Sequence, residues 1–191
     1  MKRFNLYQLE AVDKLAYPDM ANNITLDSPA LAVMTDFKYH EPLVADSHDR
    51  ACDIEQSMLQ AHVRMKLVVN QDNEFLGLVS LDDLNAQEIL RRVAKGAHRE
   101  ELSAADFMRP KDSLRAFDYH ELRQATISDV VQTLKENEFQ HYLVVDRKAH
   151  RIRGVISASD LARKLRLDIK INSRSSFVSV YAALHSESLM H

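Results

Sequence analysis

The strongest constraint on this chain is that one stretch of it occurs twice. Leu67-Val68-Val69-Asn70, a short polar stretch and Gly77-Leu78-Val79-Ser80-Leu81-Asp82-Asp83-Leu84 form the first copy. Leu143-Val144-Val145-Asp146, a slightly longer polar stretch and Gly154-Val155-Ile156-Ser157-Ala158-Ser159-Asp160-Leu161 form the second. Each reads as a β-branched strand, a charged hairpin turn, a second apolar strand and a helix start. The copies lie 76 residues apart before the turn and 77 after it, so the second turn carries one extra residue. Such a repeat fixes the architecture before any single motif is read.

The flanking segments repeat as well. Ala51, Ile54, Met58 and Leu59 keep the i, i+3, i+4 spacing of one buried helical face, as do Ile127, Val130, Val131 and Leu134. Asp49 and Thr126 stand just ahead of these faces and suit N-caps. Residues 42–45 and 114–117 are candidate first strands, so each unit reads β-α-β-β-α, an α/β (α+β) fold. Ser28-Pro29 and Ser103 are placed to cap short leading helices that end near Met34 and Met108, with Pro110 just beyond the second. The spacing predicts a helix over 86–97, stopped by Gly96, and a short amphipathic one on Phe177, Val180, Tyr181 and Leu184. The expected divisions are an extension over 1–27, a first repeat over 28–97, a second over 98–167 and a tail over 168–191. The first 25 residues carry no pattern that assigns them.

Composition removes many functions. With 46% hydrophobic residues the chain can bury a sizeable core. A net charge of −3, with both signs spread along the chain, argues against a general nucleic-acid binder. Cys52 is the single cysteine, which excludes an internal disulfide and fits a reducing compartment. Residues 1–8 lack the apolar core of a signal peptide, and no run approaches the ~20 apolar residues of a membrane span. A cytoplasmic protein without a membrane partner is expected. Only Gly77, Gly96 and Gly154 are present, too few and wrongly spaced for a P-loop or a dinucleotide fingerprint. There is no Gly-x-Ser-x-Gly elbow and no His-x-x-x-His pair, so no metal site is expected.

A glycine, two apolar residues, then Ser-x-x-Asp after a hairpin, twice, on a β-α-β-β-α frame, resembles the tandem cystathionine-β-synthase (CBS) domain pair, or Bateman module. The resemblance covers about residues 28–167. It implies a stand-alone regulatory module without catalytic activity that binds an adenine nucleotide between the repeats. Carried over position by position, Asp83 and Asp160 would hold ribose hydroxyls, and Ser80 and Ser157 would contact phosphate. Arg64 and His141, with Gln140 a weaker match, stand where nucleotide-binding members place basic residues or histidine. Leu43 and Val44 on the first strand would wall the slot for the base. AMP, ADP or ATP is the implied ligand, with S-adenosylmethionine, NAD or a cyclic dinucleotide open alternatives. The resemblance also implies a homodimer and leaves room for a separate effector protein.

The chemistry agrees with those assignments. A carboxylate accepts two hydrogen bonds from a vicinal diol, and charge-assisted bonds are about twice as strong as neutral ones. A serine at a helix start sits beside free N–H groups that favour phosphate. Ser-x-x-Asp is equally the spacing of a capping box, which would serve the helix alone. The competing reading is therefore a structural dimerisation module that binds no nucleotide. Three features depart from the family pattern. Leu67 and Leu143 stand where proline is common, Arg64 and His141 are only the nearest matches to the basic or histidine positions, and residues 119–123 lengthen the second repeat; Asp82 beside Asp83 would set two adjacent carboxylates near a phosphate. The basic run Arg163, Lys164, Arg166, Lys170, Arg174 and the pair Arg91-Arg92 read as solvated helix surface.

Overall fold

A computed structural model describes residues 24–136, 139–167 and 176–187, with residues 8, 10 and 12 as isolated positions. Lys170, Arg174 and nearly all of the N-terminal extension lie outside the described residues. In the first repeat, strands β1 (Met34–Asp36) and β2 (Val44–Asp46) precede helix α1 (Ala51–Gln60), and β3 (Met65–Val69) and β4 (Phe75–Ser80) follow it. Helices α2 (Ala86–Ala94) and α3 (Ala104–Phe107) and strand β5 (Arg109–Pro110) follow. The second repeat runs β6 (Ala116–Asp118), α4 (Tyr119–Leu122), α5 (Ile127–Leu134), β7 (His141–Asp146), β8 (Arg151–Ser157) and α6 (Ala158–Lys164). Helix α7 (Phe177–Glu187) closes the described chain. Among the described residues no helix is long and apolar enough to cross a membrane.

These elements form two four-stranded sheets, β2-β3-β4-β5 and β1-β8-β7-β6. Each hairpin is antiparallel, with a parallel partner on one side: β2 beside β3 and β6 beside β7. The fourth strand is exchanged. β1, at the head of the first repeat, pairs antiparallel with β8 of the second, and β5, at the head of the second, pairs with β4 of the first. The leading turns cross over too: Ala30 N–H donates to Ala125 O at 2.9 Å, and Ala51 N–H to Leu102 O at 2.8 Å. Asp36 and Arg153 fasten one exchange with two hydrogen bonds of 2.7 and 2.8 Å, and this pairing holds the Asp36 carboxyl below its ordinary value.

The exchange explains the repeated glycines. At Gly77 a Cβ would run into the Arg109 carbonyl oxygen of β5, and at Gly154 into the Thr35 carbonyl oxygen of β1. Only a residue without a side chain lets the crossing strand approach so closely.

Three apolar clusters result. One lies under α5, α6 and α7 and includes Val130, Tyr142, Leu161 and Phe177. A second lies under α1 and α2 around Met58, Val79 and Ile89. Leu67 and Leu78 from one hairpin meet Leu143 and Val155 from the other in a third, which joins the halves. The α7 face expected from spacing is present, with Phe177 and Val180 fully buried and Phe177 edge-on to Tyr142 at 5.6 Å.

Local details depart from the sequence expectations for identifiable reasons. Thr126 caps α5 in a capping box with Asp129. Asp49 does not cap α1; its carboxylate accepts from Asp46 N–H at 2.9 Å, and Arg50, bridged to Ser103, is the cap residue. Leu59, counted on the buried face of α1, is 58% exposed because that face turns through Ala51, Ile54 and Met58. Ser28 accepts from Thr25 N–H, and the turn at Ala30–Val33 begins at Pro29 without a side-chain cap. Ser103 and Asp106 do close a capping box on α3. The first Gly-to-Asp motif leads into irregular turns over residues 81–84, and α2 begins only after Asn85, whose side chain caps it. The helix start shared by both copies is therefore realised in the second alone.

Candidate functional site

Arg64 and Gln140 occupy equivalent positions, 76 apart, and touch each other, with Nε and Oε1 at 3.5 Å. Equivalent residues in contact place the pseudo-twofold axis between them, and one cleft opens on each side. Each is composite, taking its Ser-x-x-Asp segment from one repeat and its opposite wall from the other.

The cleft holding Asp160 has a volume of about 330 Å³ and is lined by Ser157, Ser159, Asp160, His141 and Val155 on one side. Leu43, His62, Val63, Arg64 and Met65 face them, with Thr35 of the exchanged strand and Phe37 just after it. Ser157 Oγ caps α6 by accepting from Asp160 N–H at 3.1 Å. The Asp160 carboxylate does not turn back on the serine. It points outward, 35% exposed, and among the described residues its salt-bridge partner is Arg163, at 2.6 Å. Ser157 and Ser159 share a hydrogen bond of 2.8 Å beside it. Outward carboxylate, paired hydroxyls and an apolar wall can bind a diol and a flat ring together, and the volume falls within the roughly 300–1,000 Å³ of small-molecule sites.

The cleft holding Asp83, about 380 Å³, has a different interior. Asp83 Oδ2 accepts from Ser80 N–H at 2.8 Å and Ser80 Oγ–H at 2.6 Å, so here the pair folds inward as a closed box. Arg109 stands 3.5 Å from the same carboxylate. Asp82 accepts a short hydrogen bond from Gln140 and lies 3.5 Å from Arg64, so its charge is compensated rather than left to repel an anion. Ser176 and Val178, at the start of α7, complete the rim.

Of the residues singled out from sequence, Ser157, Asp160, Arg64, His141 and Leu43 line one cleft, and Ser80 and Asp83 the other. Val44 is in neither; it lines a third, wider cavity of about 810 Å³ with Leu67 and Leu143. Residues 119–123, which lengthen the second repeat, form α4 and its C-cap Arg123 and line none of the three. Thr35, Phe37, Met65, Arg109 and Phe139 were not foreseen. Thr35 and Arg109 follow Met34 and Met108 directly, so the repeat in the sequence reaches them, but their place in the clefts depends on the strand exchange. Among the described residues no group of three His, Cys, Asp or Glu is placed to hold a metal ion.

His141 is the unusual titratable group. It is buried to 8% exposure on the wall of the Asp160 cleft, and its Nδ1 has no hydrogen-bond partner among the described residues. Burial, reinforced by the Arg109 and Arg64 charges, pushes its pKa from 6.5 down to about 3, so the ring is neutral. Because the folded value is depressed, the unfolded chain takes up the proton first as pH falls. Its contribution is therefore intact above pH 6.5 and is lost progressively below it. Between pH 7 and 5 this amounts to about 2 kcal/mol, at 1.36 kcal/mol per pKa unit. Melting curves across that range should show His141→Gln losing less stability than the parent by about this amount; parallel pH dependence would remove His141 as the cause.

Comparison with known proteins agrees with this architecture. The family model described as CBS domain matches residues 122–167. No curated protein matches the sequence. An uncharacterized conserved protein from Pyrococcus horikoshii superposes with a TM-score of 0.55 at 18% identity, over 77% of this chain and 98% of that one. CBSX2 in complex with AMP superposes with a TM-score of 0.52 at 18% identity, over 71% and 94%; CBSX2 is from Arabidopsis thaliana. A CBS domain pair in complex with 5′-methylthioadenosine and S-adenosyl-L-methionine gives 0.50 at 12% identity, over 71% and 98%.

Proposed function

Because the chain folds as a tandem pair of CBS domains, we propose that it is a regulatory module that binds an adenine nucleotide in the cleft holding Asp160 and performs no chemistry itself. The observation that carries this reading is the outward Asp160 carboxylate beside Ser157 and Ser159, facing an apolar wall. Ribose hydroxyls would replace Arg163 on Asp160, the serine hydroxyls would meet phosphate, and the base would enter between Leu43, Met65 and Val155. The unpartnered Nδ1 of neutral His141 offers a further polar contact at the same wall. Two solved structures of this fold hold adenine-bearing ligands, AMP in one and S-adenosyl-L-methionine with 5′-methylthioadenosine in the other. Calorimetric titration with AMP, ADP, ATP, S-adenosylmethionine and NAD tests the reading and identifies the ligand. Saturable binding of at least one is expected; none would leave the structural dimerisation reading.

The same proposal includes a homodimer acting in the cytoplasm on a separate effector. α7 packs over α5 and α6 of the second half. In the first half Leu59 is 58% exposed, and Leu90 and Val93 of α2 are 65% and 39% exposed. A second copy covering this face would remove it from water. Light scattering across a dilution series should return twice the chain mass, and Leu90→Glu should return it to the monomer; a persistent monomer at high micromolar concentration contradicts the dimer.

A further inference from the structure

The two clefts follow one plan and differ at several equivalent positions, two of which set what lies against the aspartate and the base wall. Thr35 of β1 pairs with Val155 and Arg109 of β5 pairs with Leu78. Val155 and Leu78 occupy the same place in the repeated strand, so Thr35 and Arg109 are structural counterparts. Val63 and Phe139 are counterparts as well, at the repeat spacing of 76. The Asp160 cleft therefore carries threonine and valine where the Asp83 cleft carries arginine and phenylalanine.

In the Asp83 cleft these two residues act together. The Arg109 guanidinium carbon lies 5.3 Å from the centre of the Phe139 ring, and Nε lies 3.5 Å from Asp83 Oδ2. A planar cation thus has an aromatic face on one side and a carboxylate on the other, both favourable to it. Those are the groups a nucleoside would need there: the carboxylate for its diol and the ring for its base. Asp83 Oδ2 is further engaged by the backbone and hydroxyl of Ser80. We propose that Arg109 is a built-in occupant of the Asp83 cleft, so that each chain takes up one nucleotide, in the Asp160 cleft. The inference rests on the nucleotide-binding reading above and assigns Arg109 as the residue that decides which cleft takes nucleotide: the Asp83 cleft keeps about 380 Å³ of space, but Arg109 already engages its carboxylate and aromatic face. A ligand entering the Asp83 cleft competes with a tethered group, whose effective concentration is on the order of millimolar.

Exchanging the counterpart residues tests this. The parent chain, Arg109→Thr and Thr35→Arg are each titrated calorimetrically with AMP, with ATP and with S-adenosylmethionine. The proposal expects one nucleotide per chain for the parent, two for Arg109→Thr and none for Thr35→Arg. The gain in Arg109→Thr is decisive, because a misfolded variant cannot acquire a site. Two nucleotides on the parent, or one on Arg109→Thr, would overturn the role given to Arg109 while leaving the nucleotide reading intact. Loss of binding in a folded Arg109→Thr would make Arg109 a ligand for phosphate and overturn the occupant. No binding to the parent or to either variant would overturn the nucleotide reading, and this inference with it.

Discussion

Replacing Asp160 with alanine should weaken adenine-nucleotide binding about ten- to a hundredfold, whereas Asp83→Ala should change it little. The magnitude is that of a lost charged hydrogen-bond partner, about 1.5–3 kcal/mol. The ranking comes from geometry. Both aspartates stand three residues after a serine, but the second serine caps α6 through its own oxygen and leaves the carboxylate outward. Asp83 is instead held by Ser80 twice and faced by Arg109. Arg163, the partner Asp160 must release, is 75% exposed, so the competing ion pair is weak. Calorimetric titration of both variants reads the difference; equal losses, or a larger loss at Asp83, would contradict the ranking.

Gly154→Ala and Gly77→Ala should be the most destabilising small substitutions in the described chain, at about 3 kcal/mol each. Neither needs an unusual backbone angle. The obstacle is the carbonyl of the exchanged strand, which is main chain and cannot rotate aside as a side chain would. For a chain of this length the loss corresponds to a fall of roughly 6–12 °C in melting temperature. Gly96→Ala makes a useful contrast. It has open space around it but a φ of +98°, so it should cost only the about 1 kcal/mol of a strained backbone. Thermal melts of the three variants decide this; equal losses at all three would remove the close approach as the cause.

The repeated hairpins, the buried faces of α1 and α5, the Thr126 cap and the C-terminal helix were legible because each rests on local periodicity or spacing. What escaped was set by contacts distant in sequence. Nothing near Gly77 announces that residues 109–110 lie across it, so the glycine could be read as part of a motif but not as a point of close approach. Ser80 and Ser157 looked alike for the same reason. Their difference depends on whether a helix starts at once, as at Ala158, or after a run of turns, as at Ala86. Val44 was placed on the correct strand yet faces a different cavity from Leu43, the residue just before β2, because successive residues of an extended chain point to opposite sides.

Thermal melting with and without nucleotide tests the central claim most directly. A ligand at a hundred times its dissociation constant adds about 2.7 kcal/mol of stability. For a chain of this size the expected rise is roughly 5–11 °C with the preferred adenine nucleotide, and at the same concentration it should shrink to roughly 1–6 °C in Asp160→Ala, whose ten- to a hundredfold weaker binding leaves about 0.4–1.4 kcal/mol. An unchanged melting temperature with AMP, ADP, ATP, S-adenosylmethionine and NAD at millimolar concentration would contradict it.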